Sequence, residues 1–180
     1  RWEWGGRQVA DEVAEFISFP PVDASSNKYV DPDNIQLSSD VLSQLRDYVT
    51  TIASMYRTNP FHNFEHASHV TMCTNKLYNR ILTGKTSVAD DVLAYTSRIT
   101  SSALTQFAVV LSAVIHDVDH SGVSNLDLIK QDSELVELYG KRSMAEQNSI
   151  DLAWELLMDP AYEELQHCIY QNEEEFNFFR

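Results

Sequence analysis

Cysteine is nearly missing from this chain: Cys73 and Cys168 are the two it has among 180 residues. Two cysteines support neither a disulfide framework nor a cysteine-rich zinc site, and they fit a reducing, intracellular environment. Basic residues are also scarce, 13 against 27 acidic ones, for a net charge of −14. That balance argues against binding to nucleic acid or to anionic lipid, whose phosphates attract basic surfaces. Twelve of the acidic side chains but three of the basic ones lie in 131–180, so the acidity reads as a solvated C-terminal face. No long apolar run exists: the stretch 107–115 is about half the length a membrane span needs. No signal-peptide pattern opens the chain, and no membrane contact is expected from this segment. Strictly alternating apolar and polar residues are absent, as are internal repeats, which leaves an all-α class.

What is present is helical periodicity. Residues 1–38 read as a short helix, Val9 to Phe16, with a connector through Pro20-Pro21 and DASSNKYVDPDN. From Ser39, available as an N-cap, Val41, Leu45, Tyr48, Val49, Ile52, Met55 and Tyr56 recur at three- and four-residue steps. Asn59-Pro60 breaks that helix, and FHNFEHASHV opens the next, continued by Val70, Cys73, Leu77 and Ile81. A loop through Thr83-Gly84-Lys85-Thr86 and Asp90-Asp91 leads to a central helix over about 103–118, followed by a short helical segment from Leu126 to Lys130. In 143–158, Ser143 and Glu146 have capping-box spacing, and Asp159-Pro160 starts a further helix with Asp at the N-cap. Residues 39–180 form the main domain in this reading.

Five of the six histidines fall in two short windows at the edges of apolar helices. His62 and His66 are spaced i, i+4, as are His116 and His120, so each pair is expected to present two nitrogens on one helical face, with Gly122 as the place where the second helix stops. His69 sits on a different edge and reads as a surface residue with ligation as its minor alternative; His167 reads as structural. Imidazole suits zinc, and carboxylate suits zinc and harder ions, so His66, His116 and Asp117 form a candidate ligand set one protein ligand short of four. Asp117 can also bridge to a second ion, and two ions at close range suit in-line displacement at phosphorus.

Taken together, NPFHNFEHASHV at 59–70 and HDVDHSGVSN at 116–125 resemble the H-N-x-x-H-A and H-D-x-x-H-x-G-x-x-N blocks of the class I cyclic nucleotide phosphodiesterase catalytic domain. The SELVELY segment at 133–139 also fits, so the resemblance spans roughly Ser39 to Arg180. It implies a compact multi-helix fold of HD type and hydrolysis of the 3′ ester of cAMP or cGMP to the 5′ monophosphate, in signal transduction. By that resemblance His62 is the general acid, and His66, His116 and Asp117 are metal ligands. Zn2+ is expected at the tight site and Mg2+ or Mn2+ at the second, with His120 and Glu146 in the outer shell. The partners implied are the cyclic nucleotide and, in a larger parent chain, a second copy or regulatory domains; the implied location is the cytoplasm, or the cytoplasmic side of a membrane-anchored parent.

Two departures accompany the resemblance. Glu146 is followed by Gln147, Asn148 and Ser149, where the family commonly has a histidine pair, so Glu146 is either an outer-shell group or a capping-box residue. The chain also stops before the family's later metal-binding aspartate and its purine-binding glutamine, from which we expect the N-terminal portion of a catalytic domain that is inactive by itself. Two other functions fit the residues: a different HD-type metal phosphohydrolase, and a helical domain that binds a nucleotide or partner without turnover.

Overall fold

The structure is a computed structural model that describes residues 36–82, 103–131 and 134–180. The expected helix at Val9 to Phe16, most of the connector and the loop through Thr83 to Asp91 lie outside these residues. Every regular element among the described residues is helical: α1 Ser39–Met55, α2 Phe64–Leu82, α3 Ala103–Ile115, α4 Asn125–Lys130, α5 Glu134–Tyr139, α6 Met144–Leu157, a 3-10 turn at Pro160–Tyr162, α7 Glu163–Ile169 and α8 Glu173–Phe179.

The spine is α1. Its N-cap is Ser38 rather than Ser39: Ser38 is extended and its hydroxyl accepts from the Val41 N–H at 3.2 Å, with Asp40 favourably placed in the first turn. Val41, Tyr48 and Ile52, seven and then four residues apart, are the buried face. That stripe meets Ala153 and Leu157 of α6, Tyr162, Leu165 of α7 and Val118, which together form the main core. A fully buried side chain such as Ile52 contributes about 1.5–3 kcal/mol by leaving water. Two tyrosine hydroxyls tie distant chain segments to this core. Tyr48 donates to the Ala153 carbonyl at 3.0 Å, and Tyr56 donates to the Val114 carbonyl at 2.7 Å, fixing the end of α1 to the last turn of α3.

Helices α2 and α3 pack against each other, which brings the first turn of α2 beside the C-terminus of α3. A smaller cluster of Leu128, Met144 and Ala145 joins α4, α5 and α6 below that junction. Asp159 caps the 3-10 turn as expected, accepting from the Ala161 N–H at 2.8 Å with Pro160 at the first position.

The expected capping box at Ser143 does not form. Ser143 lies in the left-handed region at φ 38° and its hydroxyl makes no cap bond. Asn125 does that work from another helix: its Oδ1 accepts from the Ala145 N–H at 3.0 Å, and its Nδ2 donates to Glu146 Oε2 at 2.9 Å. Glu146 is therefore held against α4 and is free of any capping role.

Candidate metal and acid-base centre

The two histidine blocks meet at one carboxylate. Helix α3 ends at Ile115, and residues 116–119 form a turn closed by Val118 N–H to the Ile115 carbonyl and His120 N–H to the Asp117 carbonyl. Val118 is buried in the core, which anchors the turn and leaves Asp117 buried beside it. Asp119 adopts φ 58°, a conformation costly for most residues, and is held there by Arg57 through bonds of 2.6 and 2.9 Å. The reversal explains why the i, i+4 reading of His116 and His120 fails: no helix connects them.

The α2 side is set by asparagines. Asn63 caps α2, its Oδ1 accepting from the His66 N–H at 3.0 Å and its carbonyl from Ala67 N–H at 3.1 Å, so His66 sits in the first turn. His62 precedes the helix, so this pair too is not displayed on one helical face. The nearer ring contacts are across the blocks, while His62 and His66 meet edge-on at 6.4 Å. His62 stacks on His120 with ring centroids 3.8 Å apart and planes 24° from parallel, and His66 meets His116 edge-on at 5.5 Å.

Asp117 Oδ2 is the meeting point: His62 Nδ1 lies 3.0 Å from it, His116 Nε2 3.1 Å and His66 Nε2 3.9 Å. Its ion-pair partners among the described residues are thus imidazoles. His69 and His167 are exposed and stand apart from this cluster. Glu146 is close enough to His120 to act on its charge, while burial and the neighbouring His62 together push the His120 imidazole below its ordinary pKa.

Two triplets bring their donor atoms within 4.8 Å of one another: His66, His116 and Asp117, and His62, Asp117 and His120. Hydrogen bonding separates them. His116 Nδ1 is 3.0 Å from the Ala113 carbonyl, a group that only accepts, so Nδ1 is a protonated nitrogen and the neutral form of the ring presents an Nε2 lone pair to Asp117. Two acceptors 3.1 Å apart need a proton or a cation between them. With a backbone carbonyl orienting the imidazole, the set of two nitrogens and one oxygen fits a zinc-like ion. In the other triplet, His120 Nδ1 accepts from the Gly122 N–H at 2.9 Å, and nearly parallel stacked rings direct their in-plane lone pairs alongside each other rather than to one point. That set suits proton handling better than ligation.

A family model for 3′5′-cyclic nucleotide phosphodiesterase matches residues 61–180, which include every member of both triplets. The chain belongs to this family. It is similar to a 3′,5′-cyclic-AMP phosphodiesterase, isoform F, of Drosophila melanogaster, 34% identical over 114 residues that make up 63% of this chain and 15% of that protein. The cGMP-specific 3′,5′-cGMP phosphodiesterase 3 of Dictyostelium discoideum is 28% identical over 138 residues, 77% of this chain and 26% of that protein. Among solved structures, the phosphodiesterase domain of the RhoPDE fusion protein from the choanoflagellate Salpingoeca rosetta superposes with a TM-score of 0.59 at 27% identity, over 74% of this chain and 37% of that one. The chain therefore spans a minor part of each of these relatives. Catalysis in the family depends on metal, and the chain supplies candidate ligands. No described helix is long and apolar enough to cross a membrane.

The residues that sequence reasoning missed are Asn59, Asn63, Asn125 and the Arg57–Asp119 pair. Asn63 had a local signal, an N-cap residue one position before the helix. Asn125 stood as the last fixed position of the H-D-x-x-H-x-G-x-x-N block without an assigned role, while the Asn59–His120 and Arg57–Asp119 bonds join residues 61 and 62 positions apart, too distant for spacing to indicate.

Proposed function

We propose that this chain supplies the metal-binding and proton-donating part of a phosphodiesterase that hydrolyses 3′,5′-cyclic nucleotides to 5′ monophosphates. The observation that carries the reading is the convergence of His62, His66 and His116 on a single Asp117 oxygen, from two blocks about 50 residues apart.

His66, His116 and Asp117 would hold zinc, and the carboxylate of Asp117 would reach a harder second ion, magnesium or manganese. Bound divalent ions supply Lewis-acid stabilisation of the phosphoryl oxygens and make an attacking water more acidic. The chain's own contribution to bond breaking is His62. Its Nδ1–H donates to Asp117, so the Nε2 edge is the one available to carry a proton to the leaving 3′ oxygen. His120, stacked on the opposite side, limits the ring's rotation, and Glu146 adds negative charge behind His120.

Both cAMP and cGMP are candidate substrates, since relatives named for each are similar to this chain. A cytoplasmic location and further domains or a second copy as partners complete the proposal. The test is turnover of cAMP and cGMP by the protein that carries this chain, against a panel of other phosphoesters, with and without a chelator. Chelator-sensitive hydrolysis of a cyclic nucleotide supports the reading. Failure to hydrolyse either cyclic nucleotide with zinc and magnesium present, or faster turnover of unrelated monoesters, would sink it.

A further inference from the structure

The first residue of the first motif block, Asn59, bonds to the backbone of both blocks. Asn59 Nδ2 donates to the His62 carbonyl at 2.8 Å and to the His120 carbonyl at 3.1 Å. Its Oδ1 accepts from the Phe61 N–H at 3.2 Å, and its own carbonyl accepts from Asn63 Nδ2 at 2.9 Å. Both amide hydrogens are thus spent on the backbones of the two residues whose rings stack on each other. An aspartate at this position has no hydrogen to donate when ionised, a serine has one, and a glutamine is a methylene too long.

The loop after His120 comes down onto the same side chain. Gly122 has φ +83°, and a Cβ placed there would lie 3.4 Å from Asn59 Cβ. The close approach and the positive φ both favour glycine. Asn59 therefore fixes the separation of two chain segments that share no secondary structure, and the 3.8 Å ring spacing follows from it.

We infer that Asn59 is the positioning residue of the acid-base pair: through its two carbonyl bonds it sets the register of His62 between His120 and Asp117. The metal ligands depend on other supports, His66 on the Asn63 cap and His116 on the Ala113 carbonyl. The kinetic part of this inference rests on the reaction proposed above; the structural part does not.

The test is Asn59→Asp, which keeps the shape, the Oδ1 acceptor and the Gly122 contact while turning an oxygen toward two carbonyls. In the protein that carries this chain, kcat should fall by about 10- to 100-fold with KM nearly unchanged, the scale of a misplaced catalytic group. Zinc affinity should stay within about threefold, since no ligand support is touched. A phosphodiester with a better leaving group should recover most of the loss, and in a His62→Ala background the same substitution should cost less than about twofold more. An equal loss in both backgrounds, with no recovery on the activated substrate, would overturn the inference.

A second measurement is independent of turnover. The non-exchangeable ring protons of His62 and His120 are shifted by each other's ring current, so in Asn59→Asp their NMR signals should move toward unstacked positions while those of His66 and His116 hold still. Unmoved His62 and His120 signals would refute the positioning role. An unmodified protein without cyclic nucleotide turnover would sink the proposed reaction, and the ring-proton shifts would still decide whether Asn59 sets the stack. Should Asn59→Asp not fold, Asn59→Ser removes the paired donor without adding charge and carries the same measurements.

Discussion

Replacing His62 and replacing Asp117 should produce two different kinds of inactive protein. The His62 ring has a 3.0 Å bond to Asp117, a stack on His120 and edge-on contacts with Phe61 and His66. Its side chain is about one-third exposed, so His62→Ala should cost stability only about 1–2 kcal/mol, from one hydrogen bond and these ring contacts. The proposed ligands remain, and zinc should stay bound. The loss of a positioned proton donor lowers kcat by about 10²–10⁴, or roughly 3–5 kcal/mol of barrier. Asp117→Ala instead removes the oxygen that three imidazoles share and leaves zinc with two protein donors. Loss of an outer partner alone costs about 10- to 100-fold in metal affinity, so removal of a direct ligand should exceed that. The assay is metal content after dialysis, beside kcat for a cyclic nucleotide and for a nitrophenyl phosphodiester whose leaving group needs no protonation. The activated substrate should restore much of the rate in His62→Ala and little in Asp117→Ala. If His62→Ala strips the zinc, or if the activated substrate rescues both variants alike, the division of roles is wrong.

Tyr48→Phe leaves the buried Ala153 carbonyl without its 3.0 Å donor and should lower stability by about 1–2 kcal/mol, read as a shift in the urea midpoint at constant slope. Burial pushes the Tyr56 phenol up to about 12 from its ordinary value, so between pH 10 and 12 the unfolded chain loses a proton that the folded one keeps. Stability should accordingly be complete below pH 10 and decline above it, and Tyr56→Phe should flatten that decline in denaturant titrations at pH 9–12. Asn125→Ala frees both the Ala145 N–H and Glu146, so amide exchange in the first turn of α6 should quicken while that in the middle of α1 is unchanged. Arg57→Ala breaks a pair that is largely exposed on the arginine side and should cost about 1 kcal/mol or less, a difference that 1 M salt shrinks.

Apolar period alone was enough to indicate the helices that build the core. Val41, Tyr48 and Ile52 fall on one face of α1 because their spacing permits nothing else once a helix forms. Which of two adjacent serines caps it was beyond that signal: Ser38 and Ser39 are chemically identical, and the extended backbone of Ser38 decides. The same limit applies at Ser143, where capping-box spacing is present but a left-handed backbone turns the hydroxyl away from its target. His66, His116 and Asp117 could be named as a candidate set from the sequence because imidazoles and carboxylates in short windows are rare chemistry, and the fold brings their donor atoms within 4.8 Å of one another. Their pairing was not legible, because i, i+4 spacing assumes a continuous helix and the chain reverses at Asp119.

Amides escape such reading for a physical reason. Asparagine has no charge, belongs to no apolar stripe and finds its partners on backbones anywhere in the fold, so Asn59-Pro60 reads first as a helix break. Yet a centre whose shared carboxylate is buried needs uncharged ties. A lysine or arginine bonded to the same carbonyls would place a positive charge beside three imidazoles and any bound cation, weakening metal binding at Asp117. An amide offers two donors and no net charge. Asn59 and Asn125 are in that position, one joining the two histidine blocks and the other joining the second block to Glu146. In the charged tie the Arg57 side chain is itself largely exposed, and its carboxylate partner Asp119 neutralises it. The distribution follows from the electrostatics of the centre: neutral donors where the imidazoles are, paired charges where water can screen them.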